Sequence, residues 1–142
     1  MAGAVQHGAS TLPEEAFNHF PATGTVEVHL ATGFQNLLYD SPHFPAKLRK
    51  RIYDYMTREN AVERKEGDTE EQFLYKTRKK GFGPFKQELW DLPAAVRTAL
   101  GKELEAQFTL LFGKLNVGKT REIVERYVKP VDVVLPTPAG LA

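Results

Sequence analysis

Two histidine-containing loops carry the residues best suited to chemistry in this chain of 142 residues. The first, His7-Gly8-Ala9-Ser10, follows a short apolar run at residues 3–6. An imidazole at a strand end can ligate a divalent metal, small residues let backbone N–H groups approach a phosphate, and a serine hydroxyl adds a donor. These residue types suit a phosphorylated substrate held near a metal. A His-Gly pair at a strand end is also common in simple turns, and that interpretation stays open.

The second loop, His29-Leu30-Ala31-Thr32-Gly33, begins at the end of residues 24–30, whose apolar side chains alternate as in a strand. Thr32 and the backbone from Ala31 to Gly33 can donate hydrogen bonds to the same phosphate as the first loop. The alternatives are a turn hydroxyl for Thr32 and a partly buried structural histidine for His29. The pairing of the two loops favours a shared phosphate site.

Composition excludes several other classes of protein. Apolar residues make up 42% and charged residues 26% of the chain, the formal net charge is +1, and there is no cysteine. This balance is typical of globular proteins and indicates neither a nucleic-acid partner nor a membrane partner. Without cysteine, only His, Asp and Glu remain as metal ligands. We expect a cytoplasmic location.

The elements that position these loops form a strand, a loop, a short helix over residues 12–17 and a second strand. From about Phe34 onward the pattern is helical. Ser41 and Pro45 precede a predicted helix that ends at about Asn60. Asp68 and Glu71 form a capping-box-like start for a second helix over residues 69–80, and Asp91-Leu92-Pro93 opens a third that runs to Gly113. Asn116 is the predicted cap of a final helix that ends before Pro130. Residues 131–142 contain two prolines and no helical periodicity, and they are predicted to be extended or disordered.

These residues resemble a known family. The segment His7-Gly8-Ala9-Ser10-Thr11-Leu12-Pro13 and residues 24–32 resemble the last two β/α units of class II fructose-bisphosphate aldolases, whose loops usually read His-Gly-Gly-Ser-Gly-Ile-Pro and Asn-Ile-Asp-Thr. Residues 62–68 and 72–85 resemble a longer subgroup with a His-Leu-Ala-Thr-Gly loop and additional C-terminal helices. With them the resemblance covers residues 3 to 130.

The resemblance implies roles for individual residues. It implies that His7 is a ligand of a catalytic Zn²⁺ and that the substrate phosphate is held at four positions, which are Gly8, Ser10, Ala31 and Thr32. His29 stands where the family has a substrate-contacting asparagine, which makes it a candidate substrate contact, and Ala31 replaces an aspartate. The expected ligand is a phosphorylated ketose or dihydroxyacetone phosphate.

The resemblance also implies an α/β fold with three parts. Residues 1–37 would be the last two β/α units of a TIM (β/α)₈ barrel, residues 38–130 a mostly α-helical extension, and residues 131–142 a tail. A whole barrel needs about 250 residues. We therefore expect the chain to be a fragment of a full barrel whose full-length parent is a homo-oligomer.

The implied reaction is the reversible, zinc-dependent cleavage of fructose 1,6-bisphosphate to dihydroxyacetone phosphate and glyceraldehyde 3-phosphate, with tagatose 1,6-bisphosphate as the near alternative. The family takes its other zinc histidines and its acid/base aspartate from earlier strands. A catalytic zinc normally has three protein ligands. We therefore expect this chain alone to be inactive.

Two different functions remain to be compared with the aldolase interpretation. Residues 113–120, Gly-Lys-Leu-Asn-Val-Gly-Lys-Thr, match the P-loop pattern of nucleotide-binding proteins. The apolar residues before them continue a helical period instead of a strand, which opposes a P-loop. Alternatively, the helical part is a non-catalytic oligomerisation module.

Overall fold

The computed structural model describes residues 3–133, and helices account for 64% of them. The two strands, β1 (Ala4–Gln6) and β2 (Thr25–Val28), pair in parallel. Gln6 lies opposite Val28, and the N–H of His29 donates to the Gln6 carbonyl oxygen at 2.8 Å. Because parallel strands end at the same edge, both loops begin side by side.

The connection between the strands is less helical than the sequence predicts. Two 3₁₀ turns, Ala9–Thr11 and Glu14–Asn18, lead into a single α-helical turn, α1 (His19–Ala22). The short helix predicted over residues 12–17 is thus a 3₁₀ helix that begins at Glu14. A segment this short forms too few hydrogen bonds to offset the entropy of helix nucleation, and it is held mainly by burial of the Phe17 ring.

The rest of the described chain is helical. Its helices are α2 (Thr32–Asp40), α3 (Ala46–Glu59), α4 (Glu70–Thr77), α5 (Lys86–Trp90), α6 (Ala94–Lys114) and α7 (Arg121–Tyr127), with 3₁₀ turns at Ala61–Glu63 and Arg78–Phe82. Leu48, Ile52 and Met56 of α3 are buried at intervals of four residues, as on the apolar face of an amphipathic helix. The predicted bounds of α3 and α6 agree with the structure to within one residue.

Two predicted helix starts are displaced. The capping box of α4 is made by Thr69 and Gln72, one residue beyond the predicted pair, because the Asp68 carboxylate accepts from Lys65 N–H and Lys76 instead. The final helix begins after Thr120, since Asn116 adopts a left-handed conformation (φ 55°) that ends the turn after α6.

The main core lies between the helices and not on the sheet. A cluster of buried side chains joins α2, α3, α5 and α6; its members are Tyr39, Phe44, Leu48, Ile52, Met56, Phe85 and Leu100. A smaller cluster of Ala9, Phe17 and Leu111 joins the first loop to α6. This second cluster holds the first loop against α6, the longest of the described helices.

The fold class expected from the resemblance is wrong. The described residues form a helix-rich fold with a sheet of two short strands, and they are not the last β/α units of a TIM barrel with a helical extension. The strands span three and four residues, and Val5 and Val26 are 47% and 70% exposed. A short apolar run and an alternating one indicated the two strands, but most of the buried hydrophobic side chains lie on or between helices.

Two expectations from the sequence concern the boundary between residues 37 and 38 and the tail at residues 131–142. The expected boundary between residues 37 and 38 falls inside α2. Residues 131–133 have no regular structure, and the remainder of the predicted tail, residues 134–142, lies outside the described residues. Within residues 3–133, the helices lack the length or the apolar character required to cross a bilayer.

Candidate functional site

The two loops that follow the strands open into one cavity of about 500 Å³. Its walls come from both loops, from the first turns of α2, and from the end of α4 with the 3₁₀ turn behind it. The lining residues are Gly8, Ser10, Thr11, His29, Leu30, Ala31, Thr32, Gln35, Asn36, Tyr75, Lys76, Arg78 and Lys79. This set includes all four predicted phosphate-site residues and the predicted substrate contact, but not His7.

The first loop turns at Gly8, whose φ of 70° is left-handed and favours glycine. The 3₁₀ turn Ala9–Thr11 starts at once and buries the Ala9 side chain completely. A left-handed residue followed by a tight turn directs successive N–H groups to one side, which is an anion-binding arrangement. The Ser10 hydroxyl has no hydrogen bond to another group within residues 3–133 and stays available to a ligand.

The second loop ends at the N-terminus of α2. Ala31 is the N-cap, so no side chain caps the helix, and its first turn contains no acidic residue. The first N–H groups of a helix have no partner inside it, and the helix dipole adds partial positive charge at this end. A phosphate at the Thr32 end of α2 would satisfy both conditions.

The two loops touch each other. A Cβ atom built on Gly33 would lie 3.5 Å from the Ser10 hydroxyl oxygen and 3.6 Å from the Ser10 Cβ atom. Ser10 therefore lies directly against the first turn of α2. One ligand anion can contact donors from both loops, as the sequence predicts.

Three basic side chains complete the wall of the cavity, and none of its lining residues is acidic. Lys76 donates to the Asp68 carboxylate at 2.6 Å, and the backbone N–H of Lys65 donates to the same carboxylate. These two hydrogen bonds hold the pKa of Asp68 below its usual range. Lys79, by contrast, has no carboxylate within salt-bridge distance in the described part of the chain. An ammonium group without a direct carboxylate contact favours an anionic ligand.

Arg78 is the third basic residue, and it is committed to protein contacts. Its Nη1 donates to Asp40 Oδ1 at 2.5 Å, and its Nη2 donates to Asp40 Oδ2 at 2.9 Å and to Asn36 Oδ1 at 2.7 Å. Asn36 Nδ2 in turn donates to the Tyr75 hydroxyl at 3.1 Å. Arg78 therefore joins α2 to the segment that carries the lysines and fixes the width of the cavity.

The histidines lie at the edge of this cavity. The rings of His7 and His29 stack with centroids 4.3 Å apart and an angle of 22° between planes, and His29 Nε2 contacts Glu27 Oε1. Stacked rings do not converge on one point, and within residues 3–133 no group of three His, Asp or Glu side chains gathers as a metal site would require. The described residues alone do not fit a catalytic zinc, so zinc ligation by His7 stays a prediction.

The sequence analysis did not identify the contribution of residues 76–79 to the site. Nothing in the spacing of these basic residues links them to loops that lie more than forty residues earlier in the chain. One signal was present: Arg78 and Lys79 follow directly on a well-capped helix of amphipathic pattern. Only the hydrogen bonds that join Tyr75 and Arg78 to Asn36 of α2 reveal their position.

The P-loop match has a different geometry from a P-loop. Residues 113–120 connect α6 to α7, so a helix precedes the turn where a nucleotide-binding loop has a strand. Asn116 and Lys119 both adopt left-handed conformations. The segment is a helix-to-helix turn, as the helical period before it indicated.

Comparisons with protein-family models, with curated proteins and with solved structures found no match for this chain. The functional interpretation therefore depends on the geometry of the cavity and on the residues that line it.

Proposed function

We propose that this chain binds the phosphate group of a phosphorylated ketose or of dihydroxyacetone phosphate in the cavity between its two strand-end loops. The observation that carries the proposal is the convergence of Ser10, the uncapped N-terminus of α2 and Lys79 on one cavity without acidic residues. Backbone N–H groups, hydroxyls and a lysine are the usual donors to phosphate.

The resemblance extends the proposal to a class of reaction. We infer that the site is the phosphate-binding part of a ketose-bisphosphate aldolase, in which the phosphate anchors the substrate and leaves its carbonyl carbon beside His29. In such an aldolase a bound zinc polarises the substrate carbonyl. This chain's own contribution is to bind and orient the phosphate, with the hydroxyls of Ser10 and Thr32 and the backbone at Gly8 and Ala31 as donors.

The proposal keeps the expectation that the chain alone is inactive. Cleavage needs a metal held by three ligands and a carboxylate that moves a proton, and the described residues do not gather these groups at the cavity. Purified chain with added zinc should therefore show no turnover of fructose 1,6-bisphosphate in a coupled assay. Chelator-sensitive turnover would show that it supplies the whole catalytic centre. Homo-oligomeric association and a cytoplasmic location complete the proposal.

Titration calorimetry tests phosphate binding directly. Dihydroxyacetone phosphate should bind with one-to-one stoichiometry, and dihydroxyacetone, which lacks the phosphate, should not bind. Ser10→Ala and Lys79→Gln should each weaken binding by roughly threefold to tenfold, since each removes one donor to an anion. Lys50→Gln is the matched control, because Lys50 is exposed on α3 and pairs with Asp54. Equal affinities in all four proteins would contradict the proposal.

The two alternatives predict different results. Nucleotide binding through residues 113–120 would be abolished by Lys119→Ala, whereas the proposed site would be unaffected by it. An oligomerisation module would associate without any phosphate ligand. The helix that precedes residues 113–120 argues against the first alternative, and the open cavity with its free lysine favours a ligand site over the second.

A further inference from the structure

A second cavity, of about 450 Å³, lies between α5, α6 and the end of α2 and shares no residue with the phosphate site. Its volume is within the range of small-molecule pockets. Its walls are apolar and are formed chiefly by Leu38, Phe44, Phe82, Leu89, Leu100 and Leu104. Trp90, the one tryptophan of the chain, lies at its edge and is 66% exposed. A large aromatic side chain left in water beside an apolar cavity marks a surface that a ligand can cover.

The charges at this cavity have one sign. Lys86 and Arg97 are the only charged lining residues, and within residues 3–133 neither has a carboxylate within salt-bridge distance. The Lys86 ammonium lies 4.8 Å from the centre of the Trp90 ring. The cavity therefore combines an apolar interior with two uncompensated cations.

We propose that this cavity binds a small amphipathic anion. This ligand is a carboxylate that carries an aliphatic chain or an aromatic ring system as its apolar part. The apolar part would lie against the leucine and phenylalanine side chains, and the carboxylate would contact Lys86 and Arg97 at the mouth. Charge complementarity selects an anion over a neutral or cationic compound of the same length. The site is independent of the phosphate cavity, so either proposal can fail without the other.

Trp90 fluorescence provides the test, with decanoate as the probe below its micelle concentration. Binding should shift the emission to shorter wavelength and saturate, because the ligand removes water from the indole. Decanol should bind about tenfold more weakly than decanoate, and decyltrimethylammonium more weakly still. Lys86→Gln and Arg97→Gln should each lower decanoate affinity about threefold and leave decanol unchanged. Lys102→Gln, on the same helix as Arg97 but away from the cavity, is the control.

A third variant separates the site from the fold. Gly101 lines the cavity, and a Cβ atom built on it meets nothing within 4 Å. Gly101→Leu should therefore fill the cavity and abolish binding of decanoate and decanol, with an unchanged circular dichroism spectrum. Equal affinity for decanoate and decanol, or unchanged affinity in the Lys86→Gln and Arg97→Gln proteins, would overturn the proposal. An emission shift that depends on protein concentration in the absence of decanoate would also overturn it, because a second copy of the chain would then occupy the cavity.

Discussion

Arg78 is the residue on which the shape of the phosphate cavity depends most. Its side chain is 8% exposed and bridges Asp40 and Asn36 of α2 to the turn that carries Lys79. Removal of the guanidinium takes three charge-assisted hydrogen bonds from Asp40 and Asn36, and such bonds contribute more to stability than bonds between neutral groups. Arg78 therefore stabilises the contact between α2 and this turn, and it positions the turn at the phosphate cavity.

The first prediction removes this side chain. Arg78→Ala should lower the free energy of unfolding by about 2 kcal/mol, since it breaks charge-assisted hydrogen bonds at a buried position. Urea denaturation measures the change, and affinity for dihydroxyacetone phosphate should fall in parallel. Arg121→Ala is the matched control: Arg121 is 89% exposed and forms a salt bridge with Glu125, so its loss should change stability by less than about 0.5 kcal/mol. Equal effects of the two substitutions would refute this role of Arg78.

The second prediction concerns Tyr39, which is fully buried and whose hydroxyl has no hydrogen-bond partner in the described structure. Burial raises its pKa from 10.0 to about 12, and Tyr53 adds to this while Arg78 opposes it. The neutral phenol is thus favoured by folding. The contribution of this preference to the free energy of unfolding is complete below pH 10 and is lost as the pH rises from 10 to 12.

Comparison with Tyr39→Phe isolates this effect. At pH 7 the variant should be as stable as the original chain or slightly more so, because it removes a buried unpaired hydroxyl. Between pH 10 and 12 the original chain should lose about 1 to 3 kcal/mol more than the variant. Chemical denaturation across this range measures the difference, and Tyr127→Phe, on an exposed ring, should behave like the original chain. Parallel pH profiles for all three proteins would contradict the assignment.

At the scale of elements, α6 connects the two buried clusters. Leu100 packs in the main core and Leu111 in the cluster under the first loop. The sequence predicted this helix well because Pro93 starts it and its apolar residues recur with the helical period. The sequence could not show that Phe108 and Phe112 would stay partly exposed, because periodicity identifies a face but not the partner that covers it.

Two glycines in different elements give opposite predictions. Gly101 lies inside α6 with open space around it, so Gly101→Ala should stabilise the chain by about 0.5 to 1 kcal/mol through helix propensity. A Cβ atom on Gly81 would lie 2.6 Å from Ile52 Cγ2 and 2.9 Å from the Tyr39 hydroxyl. Gly81→Ala should therefore destabilise the chain by about 1 to 3 kcal/mol. Thermal and urea denaturation of both variants check the pair; changes of the same sign would contradict the packing described here.

At the scale of the whole molecule, local patterns were better predictors than the global resemblance. A short apolar run indicated β1, alternation identified β2, and caps and prolines identified α3 and α6, because these signals are local. The fold class was wrong because the loops at residues 7–10 and 29–33 were assigned to a barrel, whereas most buried side chains lie between helices. No local pattern specifies which helices pack together.

The candidate site follows the same division. Gly8, Ser10, Ala31 and Thr32 could be identified from the chain because small and hydroxyl residues follow two successive strands. Lys79 and Arg78 could not, since their place at the cavity depends on contacts between α2 and the end of α4. The stacking of His7 on His29, in place of convergence on a metal, was likewise visible only in three dimensions.

The central claim is that the strand-end loops and the N-terminus of α2 bind one phosphate. Nuclear magnetic resonance of ¹⁵N-labelled chain, titrated with dihydroxyacetone phosphate, tests it most directly. The account predicts saturable shifts that are largest at the backbone N–H groups of Gly8, Ser10 and Thr32 and that are reversed by competing inorganic phosphate. Shifts spread over exposed lysines such as Lys50, or concentrated at residues 113–120, would contradict it.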